Sequence, residues 1–276
     1  MRKLLHSLLI LLFSAASAHG QESIVSFGEG VSGKLLVPDV EKVDRAVLLL
    51  HGWNGSMDEV GDLFAEQARA LAERGIASLR FDFTGEGERE NFVVTSTLAS
   101  RVGESEAAYE FLKQQVPQAR YGVLGFSLGG LTAMAVAGAH PDWFASMVLW
   151  SAAEEMRLSG DAAYNEVIRQ ALDEGRAVYR TWSDITVTRE FVLSFVGVNT
   201  RSQLSAYPGA LLAIRGDKDY LARHDPQWLE LAPTQDKAFY LIGGADHIFN
   251  VLETPKSSYG ARAISATTAW FDRTLD

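Results

Sequence analysis

A mostly parallel α/β sheet, covered by helices on both faces, is the fold class this sequence predicts, and three observations predict it. Continuously apolar runs such as Ala46-Val47-Leu48-Leu49-Leu50 read as strands buried on both sides. These runs alternate along the chain with helical patterns, which is the signature of parallel strands joined by crossover helices. The third observation is Gly125-Phe126-Ser127-Leu128-Gly129-Gly130, a Gly-x-Ser-x-Gly turn set between a strand-like run and a small-residue helix. That order forces the serine into a tight turn with its hydroxyl clear of the sheet, and it aims a helix N-terminus at the same point.

Taken in order, Ile24-Val25-Ser26-Phe27 and Gly33-Lys34-Leu35-Leu36-Val37 open the domain as two short strands, the second ended by Pro38. The Ala46–Leu50 strand follows. Ser56-Met57-Asp58-Glu59 has the form of a capping box, and Val60, Phe64 and Leu71 continue at helical spacing. Ile76 to Phe81 is a strand, followed by Asp82 and the loop Thr84-Gly85-Glu86-Gly87. A helix from Leu98 to Val116 stops at Pro117. Tyr121 to Leu124 is the strand before the serine, and Leu131 to Ala137 the helix after it. Strands at Ser146–Trp150, Leu211–Ile214 and Ala238–Ile242, and a helix over Ala261 to Leu275, complete the alternation. In such sheets ligands bind beyond the carboxyl ends of the strands, where every chemical candidate here falls.

The interval from Ser151 to Ala206 breaks the pattern. Asp161 to Glu174 reads as an amphipathic helix, with Tyr164, Val167, Ile168, Ala171 and Leu172 on one side. Val178 to Val187 reads as a hairpin turning at Ser183-Asp184, and Thr188 to Val196 as a short helix. The expectation is a cap over Ser127. Its aromatics Tyr164, Tyr179, Trp182, Phe191 and Phe195 either line a substrate pocket or seal the cap against the core.

The first residues are expected to stand outside the fold. Arg2 and Lys3, the apolar run Leu8-Leu9-Ile10-Leu11-Leu12-Phe13 and Ala16-Ser17-Ala18 have the form of an export signal over residues 1–18. The apolar run is shorter than the about 20 residues a bilayer span needs. A single domain over residues 19–276, periplasmic or secreted, is the expected product. The chain has no cysteine, so neither a lipid anchor nor a disulfide is expected. The full chain carries a formal charge of −10, and loss of Arg2 and Lys3 makes it more negative. Such a surface disfavours nucleic acid and anionic membranes as partners.

Serine at its free pKa is a weak nucleophile and needs a base, and the base needs an orienting acid. His247, in the loop Gly243-Gly244-Ala245-Asp246-His247 after the last strand, is the candidate base. Asp219, in Arg215-Gly216-Asp217-Lys218-Asp219, is the candidate acid, with Asp217 as its competitor by spacing. Asp246 is adjacent to the base and points elsewhere. Two backbone N–H groups must hold the oxyanion. Leu128 supplies one, and Trp53, in His51-Gly52-Trp53-Asn54-Gly55, the other. His51 is expected to brace that loop, and His140 and His224 to be structural. No His or carboxylate pair has metal-ligand spacing, so no metal or other cofactor is expected.

His51-Gly52-Trp53, Phe81-Asp82-Phe83-Thr84-Gly85-Glu86-Gly87, the serine turn, Gly216-Asp217-Lys218-Asp219 and Asp246-His247 resemble the α/β-hydrolases. More narrowly they are similar to bacterial cinnamoyl or feruloyl esterases and related small serine carboxylesterases, with a cap of similar size. In that family the acid is the fourth residue of Gly-x-x-Asp, which selects Asp219. The resemblance implies a serine hydrolase that cleaves small carboxylic esters through an acyl-enzyme, and the leader pattern makes it an exported one. A peptidase or acyltransferase on the same fold shares the first half-reaction, and a non-catalytic binding homologue is a third alternative. The chain departs from the family at Glu86, where a histidine is usual, at Arg89, and at Tyr220-Leu221-Ala222 after the acid.

Overall fold

The computed structural model describes residues 12–17, 20–86, 93–155, 162–180 and 184–276. A nine-stranded sheet runs through them, in the order β1-β2-β3-β5-β4-β6-β7-β10-β11. Three antiparallel strands form one side: β1 (Leu12–Ser17), β2 (Gly20–Phe27) and β3 (Val31–Val37). Six parallel strands follow: β4 (Arg45–Leu50), β5 (Ala77–Phe81), β6 (Arg120–Phe126), β7 (Ser146–Trp150), β10 (Ala210–Gly216) and β11 (Lys237–Ile242). The expected doubly covered parallel sheet is therefore present. The segment Leu12–Ser17, read in the sequence as the end of a leader, pairs along the outer side of β2.

Alternation within the strands builds two cores. Ala46, Leu48 and Leu50 of β4 face one side, where α2 (Leu98–Gln115) and α3 (Leu128–Ala139) pack with Phe111, Leu112, Leu131 and Met134. Val47 and Leu49 face the other, where α1 (Leu63–Ala72) and α8 (Tyr259–Thr274) bring Phe64, Leu71, Ile264 and Phe271. Burial on both faces is why these strands lack the polar alternation of a half-exposed sheet.

The insertion between β7 and β10 holds α4 (Ala162–Glu174), the hairpin β8 (Arg176–Arg180) with β9 (Asp184–Thr188), α5 (Arg189–Ser194) and α6 (Thr200–Ala206). The hairpin docks on the body through Val94, whose N–H donates to the Thr186 carbonyl at 2.9 Å. Trp182 and Ser183, expected at its turn, and Asp161 and Arg89 lie outside the described residues. No helix among those described is long and apolar enough to cross a membrane.

The largest difference from expectation is at the start of α1. The capping box at Ser56 is absent. Glu59 (φ 59°), Gly61 (φ 62°) and Asp62 (φ 64°) break the chain into a single 3-10 turn before Leu63. The cause is a competing partner: the Glu59 carboxylate accepts the Gly52 N–H at 2.5 Å and the Val60 N–H at 3.0 Å, so it cannot reach back to Ser56. A real capping box sits instead at Thr97 and Ser100, opening α2. Two short helices were not anticipated: α6 and α7 (Asp225–Leu231).

Candidate functional site

β6 ends in the serine turn because two glycines allow it. A Cβ on Gly125 would stand 2.3 Å from the Gly129 carbonyl oxygen, and one on Gly129 would stand 1.9 Å from the Leu50 oxygen. With neither present, Ser127 is held at φ 51°, ψ −116°, immediately ahead of the first turn of α3. Such a conformation costs a non-glycine residue on the order of 1–3 kcal/mol. The Ser127 N–H is fixed to the Trp150 carbonyl at 2.9 Å, and its own carbonyl accepts from Ala153 at 3.0 Å.

The loops after β10 and β11 bring the other two candidates to this point. His247 Nε2 lies 3.1 Å from Ser127 Oγ, and His247 Nδ1 lies 2.8 Å from Asp219 Oδ1. Both partners are nearly sealed from solvent, with side chains 8% and 1% exposed. Burial alone would raise the Asp219 pKa, but the hydrogen bond and charge of His247, with the Arg215 guanidinium, hold it below the ordinary carboxylate range. Asp217 is turned away: its Oδ1 accepts the Gly244 N–H at 2.7 Å and so ties the histidine loop to the acid loop. Asp246 caps its own turn through the N–H groups of Ile248 and Asn250. His140 pairs with Glu106 and stacks on Trp143, and His224 approaches Glu154; both lie in structural contacts.

Across the serine, the loop after β4 is held by a buried polar network. His51 is fully buried; its Nδ1 donates to the Gly52 carbonyl at 2.7 Å and its Nε2 accepts the Phe83 N–H at 3.0 Å. Burial drives its pKa down to about 4, with Glu86 opposing and Arg101 assisting, so the ring is neutral and braces the loop. Glu86 accepts from Arg101 at 2.6 Å, from Ser96 at 2.6 Å and from the Asn54 N–H at 3.0 Å. Arg101 also donates to the His51 carbonyl at 2.6 Å and stacks over Phe83. Glu86 therefore does structural work where the related family has histidine. Among the described residues, no acceptor takes the backbone N–H of Trp53 or of Leu128. These are the two donors the sequence nominates for an oxyanion.

The Trp53 ring meets the cap. It stacks with Tyr179 and with Phe191, each at 5.9 Å, and meets Tyr164 edge-on at 6.1 Å. Phe191 and Phe195 are buried against each other, whereas Tyr164 and Tyr179 stay half-buried. Tyr220, the residue after the acid, lays its largely exposed ring 4.5 Å from the His247 imidazole.

Sequence reasoning gave Glu59 only a helix-capping role, passed over Arg101, Arg215 and Asp225, and gave Glu86 and Tyr220 no role. A signal existed for two of them. Arg215 ends an otherwise apolar strand. Arg101 and Ser105 lie four apart on the face of α2 turned to the core, with Arg101 fully buried there. No group of three or more His, Cys, Asp or Glu side chains among the described residues could hold a metal ion.

Glu59 allows a test of the loop's wiring. Burial raises its pKa from 4.5 to about 7, against the pull of the Gly52 and Val60 N–H groups. Between those values the folded state holds a proton that the unfolded chain has lost, so this group lowers stability as pH rises through the window. Glu59→Gln removes the titration. The melting temperature of the variant, relative to the parent, is expected to climb from about pH 5 to about pH 8. A constant difference would contradict a buried, proton-binding Glu59.

Strand order, serine turn and loop placement define the α/β-hydrolase class. The model of the serine aminopeptidase S33 family of hydrolases matches residues 41–194, more than half of the chain, and the chain belongs to that family. Among solved structures, Est1E from Butyrivibrio proteoclasticus with bound ferulic acid superposes with a TM-score of 0.69 at 16% identity, over 90% of this chain and 97% of that one. The esterase domain of a Rhodothermus marinus protein gives 0.66 at 22% identity, over 93% and 100%. A Paleococcus ferrophilus monoacylglycerol lipase gives 0.65 at 15% identity, over 88% and 98%. At these identities the likeness is one of fold. No curated protein matches the chain in sequence.

Proposed function

We propose that the protein is an exported serine esterase acting on small carboxylic esters. One observation carries the reading: the continuous relay Asp219–His247–Ser127, at 2.8 Å and 3.1 Å, ends on a serine flanked by two uncommitted backbone N–H groups. His247 Nδ1–H donates to Asp219, which leaves Nε2 free to accept the Ser127 proton. Oγ attacks the ester carbonyl, and the N–H groups of Trp53 and Leu128 take the developing oxyanion. His247 then protonates the departing alcohol. Water, activated by the same nitrogen, releases the acid and restores the serine. Export rests on the leader pattern over residues 1–18; a cut after Ala18 removes β1 and leaves β2 paired to β3.

The family's name favours a second reading, an aminopeptidase, which must bind a free α-ammonium. Among the described residues, the carboxylates around the triad speak against it. Asp219 is taken by His247 and Arg215, Asp217 by Gly244, Asp246 by its own turn, and Glu154 by Arg201 and Trp228. A panel of p-nitrophenyl esters set against aminoacyl p-nitroanilides separates the two. Esterase action predicts turnover of the esters and little or none of the anilides; preference for the anilides would replace this reading with the other.

The cap aromatics divide by burial. Phe191 is 1% exposed, so Phe191→Ala leaves a cavity beneath Trp53. The expected cost is about 3–5 kcal/mol of stability, with parallel losses on all esters. Tyr179→Ala is expected to change the preference between acetyl, butyryl and feruloyl esters by about 1–3 kcal/mol. Parallel losses on all three for Tyr179→Ala would remove it from the substrate pocket.

A further inference from the structure

We propose that Arg215 is a positioning residue for the relay: it fixes the second oxygen of Asp219 and offsets part of that carboxylate's charge at His247. The proposal rests on the esterase reading above for its kinetic test, but not for its geometry. Arg215 is 1% exposed at the carboxyl end of β10, and it spends its guanidinium on three partners. Nη1 donates to Asp219 Oδ2 at 2.7 Å, Nε to Asp225 Oδ2 at 2.6 Å, and Nη2 to the Ala152 carbonyl at 2.6 Å. These belong to the acid loop, to the first turn of α7 and to the root of the cap.

Asp219 is therefore held on both oxygens. Oδ1 takes the Leu221 N–H at 2.9 Å and faces His247; Oδ2 takes Arg215. The carboxylate plane cannot rotate without breaking a buried, charge-assisted bond. The Ala152 contact extends the same constraint to the serine side, since Ala153 donates to the Ser127 carbonyl. Arg215 thus ties the acid, the cap root and the neighbourhood of the serine together.

The electrostatic consequence has a definite sign. The Asp219 charge favours a protonated imidazole at His247, and the guanidinium opposes it. Asp225, on the far side of Arg215, adds a weaker pull in the same direction as Asp219. Among the described residues, the other polar side chains that meet the imidazole are Ser127, through its hydroxyl, and Tyr220, through its ring. Removing Arg215 should make the imidazole hold its proton to higher pH.

The test is the double variant Arg215→Met/Asp225→Asn, which removes the guanidinium without leaving Asp225 as a buried charge that has lost its partner. Its kcat/KM on p-nitrophenyl acetate is followed against pH, and the His247 ring is titrated by NMR. The acid limb and the NMR midpoint are both expected to move up by about 0.5–1 pH unit. The kcat plateau should fall about tenfold with KM nearly unchanged. A purely structural role would lower the melting temperature and leave both midpoints in place. That result, with the plateau within about twofold of the parent, overturns the proposal. If the double variant does not fold, Arg215→Lys decides. One ammonium keeps the charge but cannot hold Asp219 and Asp225 together. The limb should then stay at the parent position while the plateau drops about tenfold, and an undiminished plateau overturns the proposal. If the parent turns over no ester, the esterase reading fails by itself, and the NMR titration still tests Arg215.

Discussion

Ser127→Ala is expected to abolish ester turnover, lowering kcat by about 10⁴–10⁶, while the fold is kept. The substitution removes one oxygen from a half-exposed position and leaves every backbone bond of the turn in place. Alanine adopts the same φ of 51° no less easily than serine, so far-UV circular dichroism and melting temperature should change little. His247→Ala should be nearly as damaging. The two residues act as one unit, so the double variant should be scarcely worse than either alone. More than a few per cent of parent activity in an uncontaminated Ser127→Ala preparation would take the serine out of the mechanism.

Asp219→Asn is expected to cost about 10⁴ in kcat. The neighbours determine how an asparagine would sit. Arg215 can only donate and carries a full charge, so it claims the amide oxygen at the Oδ2 position and turns the amide NH₂ toward His247 Nδ1, at the cost of the Leu221 N–H bond to Oδ1. The ring must then accept at Nδ1 and carry its proton on Nε2, which is the wrong tautomer for taking the serine proton. Asp217→Asn should be mild by comparison, because the bond that Asp217 accepts from the Gly244 N–H can be made equally well by an asparagine oxygen. Steady-state kinetics on both variants checks the pair. A folded Asp217→Asn that loses more activity than Asp219→Asn would reverse the assignment of the acid.

The features legible in the sequence were those fixed locally or by strand order. The serine turn could be read because its glycines are demanded by contacts within the turn and with the adjacent strand, at 2.3 Å and 1.9 Å. The central parallel strands, β4 and β7 above all, could be read because burial on both faces leaves them almost continuously apolar. His247 is nominated by its place after β11; the place after β10 leaves Asp217 and Asp219 both open, and the family resemblance selects Asp219. The groups that were not legible are those whose partners lie far along the chain. Glu59 looks like the end of a capping box, and only the approach of Gly52 shows that its carboxylate is committed elsewhere. Arg101 stands in the first turn of α2, and its partners Glu86 and the His51 carbonyl lie 15 and 50 residues away. α6 and α7 are seven residues each, too short for a periodic pattern to stand out.

The central claim, that Ser127 is an activated nucleophile served by His247, is tested most directly by a fluorophosphonate label followed by peptide mapping. The expected result is a single adduct on the peptide containing Ser127, absent in Ser127→Ala and slowed in His247→Ala. An unlabelled parent protein, or an adduct on any other residue, would contradict it.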